Sequence, residues 1–314
     1  MKISLGPIQY FWPAQQVYSF YEQVKTWPVD IIYLGENVCA KRRELKLDDW
    51  IRIADELTAA GKQVILSTMV LLEADSELSR LKRICENRNY KIEANDLSAV
   101  YILNGIKRFV AGPHINIYNV NTLNLLFELG IYRWVMPIEL SAQALEKILA
   151  DKPDELETEV FAYGHIPLSF SARCFTARMH NLPKDQCDFL CKHDQQGISL
   201  YTQEQNKLFN INGIQLQSGV PCNLIEAVEQ MQVLGVDVVR LSPQANGMQT
   251  VVEMFQGAIN KTISKNVIES WTSEHAHGNQ WCNGYWYGQA GMDWQPQNNV
   301  KVDFSVETPV NTVK

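Results

Sequence analysis

The chain has 314 residues, a length typical of a single α/β barrel, and 46% of them are hydrophobic, so one sizeable core can be buried. Its 28 basic and 35 acidic residues give a net charge of −7, which argues against general electrostatic binding of nucleic acid. No segment approaches the ~20 apolar residues of a membrane span, and the first residues lack the pattern of a signal peptide. We therefore expect a cytoplasmic protein whose seven cysteines stay reduced as core residues or metal ligands.

Apolar strands and amphipathic helices alternate along most of the chain. The strands are Val- and Ile-rich runs with little alternation, typical of parallel strands covered on both faces. They are predicted at residues 30–35, 63–68, 91–94, 108–112, 133–138, 159–164, 208–214 and 237–241, and residues 2–7 could also serve as the first strand. Helical patterns cover residues 47–60, 75–87, 119–129, 141–149 and 223–234. Gly61, Gly130 and Gly235 stand where helix C-caps are expected.

This order of elements predicts an α/β fold with a parallel sheet. About eight strands in ~250 residues favour a closed, TIM-like (β/α) barrel over an open doubly wound sheet. Residues 167–201 have neither a helical nor a strand period, and a long irregular stretch inside a compact domain is usually functional. We therefore predict a barrel over residues 1–262, with a cysteine-bearing loop at 165–201 and an irregular C-terminal extension at 263–314.

Three cysteines fall within this irregular stretch. Cys187 and Cys191 are spaced C-x3-C, and Cys174 precedes them by thirteen residues. Cys39 follows another candidate strand, at the end of a barrel strand where functional residues lie. Because both loops open on the same face of the predicted barrel, the four thiolates can converge. Such a set can hold zinc or an iron–sulfur cluster.

The spacing leaves alternatives open for individual cysteines. Cys39 can equally be a structural residue, and Cys282 competes with it as the fourth ligand. Cys85 lies in a predicted helix and is expected in the core, whereas Cys222 precedes a helix and is expected at its start. The cysteines do not crowd together as they do in radical-SAM or ferredoxin sequences, which argues against those two classes.

One short basic run, Lys41-Arg42-Arg43, follows Cys39 by two residues. It is either a solvated loop or helix start, or a local positive charge beside a bound anion or a thiolate-rich cluster.

Polar side chains stand at the ends of several predicted strands, which suggests a polar cavity at the barrel mouth. The candidate catalytic residues among them are His165, His114 and Arg240. The other polar residues at strand ends are Glu36, Glu93, Asn116 and Glu139.

The motifs together resemble the collagenase-like (U-thirty-two) peptidase family, in particular its ubiquinone-biosynthesis members. They are residues 32–43 (IYLGENVCAKRR), 159–165 (EVFAYGH), 171–178 (SARCFTAR), 239–244 (VRLSPQ) and 282–286 (CNGYW). The resemblance implies an oxygen-sensitive 4Fe-4S cluster bound by Cys39, Cys174, Cys187 and Cys191. It also implies a heterodimer with a related protein, UbiU, that hydroxylates a ubiquinone precursor without oxygen, the oxygen atom coming from a small donor molecule.

The sequence departs from the peptidase-type members of the family, which have a cysteine where this chain has His165-Ile166-Pro167-Leu168. Three hypotheses follow: a cluster-bearing hydroxylase subunit, a cysteine- or metal-dependent peptidase that uses Cys174 or another cysteine with His165, and a zinc-stapled scaffold. The aromatic residues of the tail are candidate surface anchors for the partner: Trp281, Tyr285, Trp286 and Tyr287.

Overall fold

A computed structural model describes residues 1–275 and 280–296. Its strands are β1 (Lys2–Leu5), β2 (Ile31–Leu34), β3 (Gln63–Ser67), β4 (Lys91–Ala94), β5 (Phe109–Ala111), β6 (Ile131–Val135), β7 (Glu157–Phe170), β8 (Ile198–Tyr201), β9 (Lys207–Asn212), β10 (Gln215–Asn223) and β11 (Val238–Leu241). Strands β1 to β7 pair in sequence order and in parallel, and β11 pairs in parallel with both β1 and β7. The eight strands therefore form a closed parallel barrel, and the predicted TIM-like α/β fold is confirmed.

Helices alternate with the barrel strands. They are α1 (Ala14–Val24), α2 (Leu47–Ala59), α3 (Asp75–Cys85), α4 (Leu97–Leu103), α5 (Val120–Glu128), α6 (Ala142–Leu149), α7 (Phe175–Met179), α8 (Val228–Leu234), α9 (Met248–Ile259) and α10 (Lys265–Glu274). Several begin at a side-chain cap that accepts a hydrogen bond from a free backbone N–H, as Asp96, Asn119 and Ser141 do. In the described part of the chain, no helix has the length and apolarity to cross a bilayer.

The strand residues divide between two buried clusters, as alternation along a strand requires. In β2, Ile32 and Leu34 belong to the large cluster between strands and helices. Ile31 and Tyr33 belong to a smaller cluster of inward-facing residues inside the barrel. The barrel interior is therefore packed rather than open.

Strand β7 is long because it serves two sheets. Its first half pairs in parallel with β6 and β11, and its second half pairs antiparallel with β10. Gly164 marks the change: its φ is +120°, and a Cβ there would lie 2.5 Å from the Cβ of Ser242. Beyond it, β7, β10, β9 and β8 form an antiparallel arm that extends from the barrel. This arm positions the cysteine-bearing segment.

One strand predicted for the barrel lies outside it, and the strand that was left as an alternative lies in the barrel. Residues 208–214 were expected in the barrel, but β9 covers this region and pairs only with β8 and β10. Residues 2–7 supply the barrel strand instead, as β1. The antiparallel arm explains the error, because its hydrophobic strand has the same composition as a barrel strand.

The helix predicted at 223–234 is also shorter than expected. Asn223 ends β10, and α8 begins only at Val228 after a short 3₁₀ turn. Cys222 consequently lies in a strand, and its predicted place at a helix start is wrong.

The loop predicted at 165–201 is ordered at both ends, because β7 continues to Phe170 and β8 begins at Ile198. The extension predicted to be irregular from 263 begins with α10. Trp281 and Trp286 are buried, so these two are not the surface anchors predicted for the tail. Residues 276–279 and 297–314 of that extension lie outside the described residues, and the domain boundary at 262 stays a prediction.

Candidate functional site

Cys39 lies on the loop that follows β2. The loop begins at Gly35, whose φ is +127° and where a Cβ would lie 2.9 Å from the carbonyl oxygen of Ser67, so only glycine fits. The Glu36 carboxylate accepts hydrogen bonds from the backbone N–H of Val38 at 2.9 Å and of Cys39 at 3.0 Å. These bonds hold the half-buried Cys39 at the carboxyl end of the barrel.

Cys174 is the N-cap of the short helix α7, and its Sγ accepts a hydrogen bond from the Ala177 N–H at 3.5 Å. The start of α7 is tied to the turn between β9 and β10. The Phe175 N–H donates to the Gly213 carbonyl at 2.9 Å, and the Gly213 N–H donates to Thr176 Oγ1 at 3.1 Å. The antiparallel arm therefore fixes the position of the buried Cys174 thiol.

Cys187 and Cys191 stand on either side of a tight reversal. Asp188 and Phe189 both adopt left-handed backbone angles, with φ of 45° and 53°. Such a φ is uncommon for a bulky residue such as Phe189 and indicates local strain. The Leu190 N–H donates to the Cys187 carbonyl at 3.1 Å, which closes the turn between the two cysteines.

The structure brings the four predicted cysteines together. Val38, Cys174, Ala177 and Ile214 form a small apolar cluster apart from the barrel core, and Cys39 and Cys187 pack against it. The thiols are close enough to act on one another electrostatically. Cys39 and Cys187 raise the pKa of Cys174, and Cys174 and Cys187 raise the pKa of Cys191. Two loops far apart in sequence thus place four thiols in one neighbourhood.

Burial is the main influence on these thiols. It raises the pKa of Cys39, Cys174 and Cys191, and Arg42 opposes that rise at Cys39 and Cys191. A thiol that acts as a nucleophile has a lowered pKa, so these groups are not activated by their own surroundings. A bound metal would itself displace the thiol protons.

Arg42 is 2% exposed and supplies positive charge beside the thiols. Its guanidinium donates to the carbonyl of Gln9 and to Oδ1 of Asn212, each at 2.7 Å, and its charge opposes the rise in the pKa of Cys191. A side chain at Gly213, where φ is +67°, would lie 2.9 Å from Arg42 Nη2. The sharper interpretation of the basic run therefore holds for Arg42, which lies beside the cysteines.

The thiols do not form a compact donor set for one ion. Within residues 1–275 and 280–296, no three His, Cys, Asp or Glu side chains are close enough to share a single metal ion. A mononuclear zinc site needs such a set, since each sulfur lies ~2.3 Å from the ion. In a polynuclear cluster each thiolate binds a different iron, so its ligands stand further apart.

Arg240, predicted as a catalytic candidate, lies inside the barrel in an ion-pair network. Its Nε donates to Glu159 Oε1 at 2.6 Å, and its Nη1 lies 2.7 Å from Glu93 Oε1 at an angle outside hydrogen-bond geometry. Its guanidinium also lies over the Tyr33 ring, 4.0 Å from the centroid. Glu159 further accepts from the hydroxyls of Ser4 and Tyr33. The charged groups of the barrel interior therefore interact with one another.

Glu159 is the residue that sequence reasoning missed, because it was taken only as the start of a strand. Burial raises its pKa, but Arg240 and Arg133 outweigh this effect and leave the pKa below its ordinary value. The signal in the sequence was a carboxylate directly before the apolar run 160–163, at a position that faces inward and bonds to Arg240.

The two candidate histidines lie on different elements from the cysteines. His165 is on β7, and its Nδ1 lies 2.7 Å from the Ser218 carbonyl oxygen. His114 follows β5 and packs edge-on against Phe170, with ring centroids 4.9 Å apart. Burial and Arg240 lower the pKa of His114 to about 3, so its ring is neutral at pH 7. The Asn116 and Glu139 side chains are exposed.

The remaining cysteines stand apart from the four. Cys85 is buried at the end of α3, as predicted for a core residue. Cys282 pairs with Cys222 in an isolated parallel bridge, and the Cys222 and Cys282 thiols interact directly. Both are buried, and Cys282 Sγ lies 3.6 Å from the Val220 carbonyl oxygen. The structure therefore places Cys282 with Cys222 and not with the cysteine loop.

These features define a (β/α) barrel protein with a cysteine-bearing arm. The family model of Peptidase family U32 matches residues 21–296, and the chain belongs to that family. Among solved structures it is similar to the U32 peptidase Mk0906, with 10% identity, a TM-score of 0.44 and coverage of 78% of this chain and 93% of that one. It is also similar to dihydropteroate synthase (FolP) from Thermus thermophilus, with 10% identity, a TM-score of 0.40 and coverage of 83% and 93%.

Proposed function

We propose that this chain is the iron–sulfur subunit of an oxygen-independent hydroxylase in ubiquinone biosynthesis, a protein of the UbiV type. The observation that carries the proposal is the meeting of four cysteines from two separate loops beside a buried arginine: Cys39, Cys174, Cys187 and Cys191 with Arg42. The chain belongs to Peptidase family U32, and the motifs around these cysteines resemble those of the family's ubiquinone-biosynthesis members, which supports the proposal.

We propose that this donor set holds a 4Fe-4S cluster. Its ligands would be the four thiolates, which is the usual number for such a centre. When bound, the cluster would supply one-electron redox chemistry.

The chain's own residues prepare this site. Glu36 fixes the loop that carries Cys39, and the Thr176–Gly213 contact fixes Cys174. Val38 and Ile214 keep water away on the apolar side, and Arg42 offsets negative charge from the thiolates.

A peptidase remains the alternative that the family name suggests. It would use Cys174 with His165, and a nucleophilic cysteine requires a lowered pKa and a base within hydrogen-bond reach. Burial instead raises the pKa of Cys174, and its neighbours are other thiols. The zinc scaffold is the other alternative, and the absence of a compact three-donor set in the described residues counts against it.

Protein purified without air tests the proposal. We expect a brown protein containing about four iron and four acid-labile sulfide per chain, with little zinc. Variants in which each of the four cysteines is changed to alanine should lose iron sharply, while Cys85→Ala, a buried cysteine outside the group, should retain it. Stoichiometric zinc without sulfide would establish the scaffold, and digestion of gelatin by metal-free protein would establish the peptidase.

The resemblance also supports a cytoplasmic heterodimer with UbiU that acts on a ubiquinone precursor with a small oxygen-donor molecule. Exposed apolar side chains, among them Leu97, Tyr101 and Ile106 around α4, give the chain surface for such a partner. Co-expression followed by size-exclusion chromatography tests the complex, and two separate monomer peaks at micromolar concentration would contradict it.

A further inference from the structure

A cavity of about 490 Å³ lies between the loop after β2 and helices α2 and α3. Its floor is apolar and includes Leu34, Leu66, Leu81 and the ring of Trp50. Its volume is within the range of small-molecule sites, about 300–1,000 Å³. It is separate from the barrel interior and from the thiols, but its wall includes Ala40, the residue that follows Cys39.

Two arginines meet at the rim of this cavity. Arg80 Nη1 donates to the Ala40 carbonyl at 3.0 Å, and Arg43 Nε donates to the same carbonyl at 3.4 Å. Two guanidinium groups on one acceptor repel each other, and burial together with Arg43 lowers the pKa of the half-buried Arg80. Water offsets part of this charge at the exposed Arg43, and an anion bound between the two guanidiniums would offset more of it.

Three carboxylates, those of Glu36, Asp48 and Glu77, line the same cavity. In the described residues, no carboxylate oxygen lies within 4.0 Å of the Arg43 or Arg80 nitrogens. Glu36 and Glu77 act on Arg80 from further away, but both are already bonded to backbone N–H groups. Most of the donors on the two guanidiniums therefore remain available to a ligand.

We propose that this cavity binds a small organic anion, with its apolar ring or chain on the Trp50 floor and its carboxylate or phosphate between Arg43 and Arg80. A planar guanidinium binds either anion through two parallel hydrogen bonds, which a neutral molecule cannot accept as well. The ligand would lie one residue from Cys39, because both arginines are bonded to Ala40. The site does not depend on the proposed cluster or on the hydroxylase function.

Calorimetric titration of the full chain, purified without air, tests the site with four probes. They are 3-phenylpropionate, phenyl phosphate, the neutral 3-phenylpropanamide and inorganic phosphate. We expect at least one of the two ring anions to bind with a dissociation constant below about 1 mM, and the amide and inorganic phosphate at least tenfold more weakly. Whichever ring anion binds more tightly identifies the carboxylate or the phosphate as the natural head group.

Three variants locate the binding. Arg80→Gln should weaken it at least tenfold and Arg80→Lys less, since lysine keeps the charge but not the fork. Arg88→Gln is the matched control, because Arg88 is exposed just beyond α3 and does not line the cavity. Circular dichroism confirms that each variant is folded. Equal affinity for the amide, equal affinity for inorganic phosphate, or unchanged binding in folded Arg80→Gln protein would each overturn the proposal.

Discussion

Replacing Arg240 by methionine tests whether this residue stabilises the barrel. The change removes the counter-ion of two fully buried carboxylates, Glu159 at 2.6 Å and Glu93 at 2.7 Å. Removing one partner of a buried ion pair costs about 3–5 kcal/mol, because the other charge stays buried without compensation. Arg133, 3.6 Å from Glu159, compensates only in part. We therefore expect the variant to lose about 3–5 kcal/mol of unfolding free energy at pH 7.

The pH dependence of that loss tests its cause. In the wild type, the pKa of Glu159 is below its ordinary value, so its contribution is present above the unfolded pKa of about 4.3 and is lost as pH falls through the folded pKa. Without Arg240, burial dominates and the pKa of Glu159 rises. The carboxylate then takes up a proton at higher pH, and the difference between variant and wild type shrinks from pH 7 to pH 5.

Urea unfolding at the two pH values, followed by circular dichroism and tryptophan fluorescence, measures the difference. Arg240→Lys should recover part of the stability, and Arg88→Met, at an exposed position, should change it by less than about 0.5 kcal/mol. A loss below about 1 kcal/mol at pH 7, or a loss that grows as the pH falls, would refute the argument.

The remaining predictions concern the cysteine site and its function. Arg42→Met should lower the unfolding free energy by about 1–3 kcal/mol, because Asn212 Oδ1 loses its donor while the Gln9 carbonyl keeps its bond from Asn212 Nδ2, and should also lower iron retention; unchanged urea unfolding would contradict this. Cys282→Ala should leave the iron content intact, since its neighbour is Cys222, and loss of iron would show that it is a ligand. Deleting the gene should abolish ubiquinone in cells grown without oxygen and spare it in aerobic cells, measured by quinone extraction. A Cys187→Ala copy that restores anaerobic ubiquinone would show that the cluster is dispensable.

The barrel was predictable because covered parallel strands leave a clear mark in the sequence. Runs such as Ile31–Leu34 and Phe109–Ala111 are apolar without alternation, and helices lie between the barrel strands. The arm was not predictable, since β9 has strand composition but its partner is set by the turn at Gly213. The extent of β7 was also hidden, because Gly164 marks a bend that looks like the end of a strand.

Only one part of the candidate site could be predicted from the sequence, namely the cysteines in loops that follow strands. Cys39 follows a strand that ends at one face of the barrel, whereas Cys174 follows β7, which continues beyond that face into the arm. Loop position indicates the face for both cysteines, but the arm fixes the place of Cys174. The Arg240–Glu159 pair was not accessible, because it depends on the alignment of β11 with β7. Register between strands distant in sequence is not encoded by either strand alone.

Arg42 and Arg43 are adjacent in the sequence but lie in different surroundings, which the local sequence does not reveal. Arg42 is buried beside Cys191, and Arg43 is exposed at the rim of the cavity next to Arg80. Their side chains leave the same loop in different directions because the Arg42 N–H is bonded back to the Cys39 carbonyl, which turns the chain there. One basic run therefore places Arg42 beside the thiols and Arg43 at the proposed anion site. Charge at the thiols and charge at the cavity can consequently be varied separately, by Arg42→Met and by Arg43→Gln. If the cluster and the anion site are independent, the first change lowers iron content without altering anion binding, and the second does the reverse.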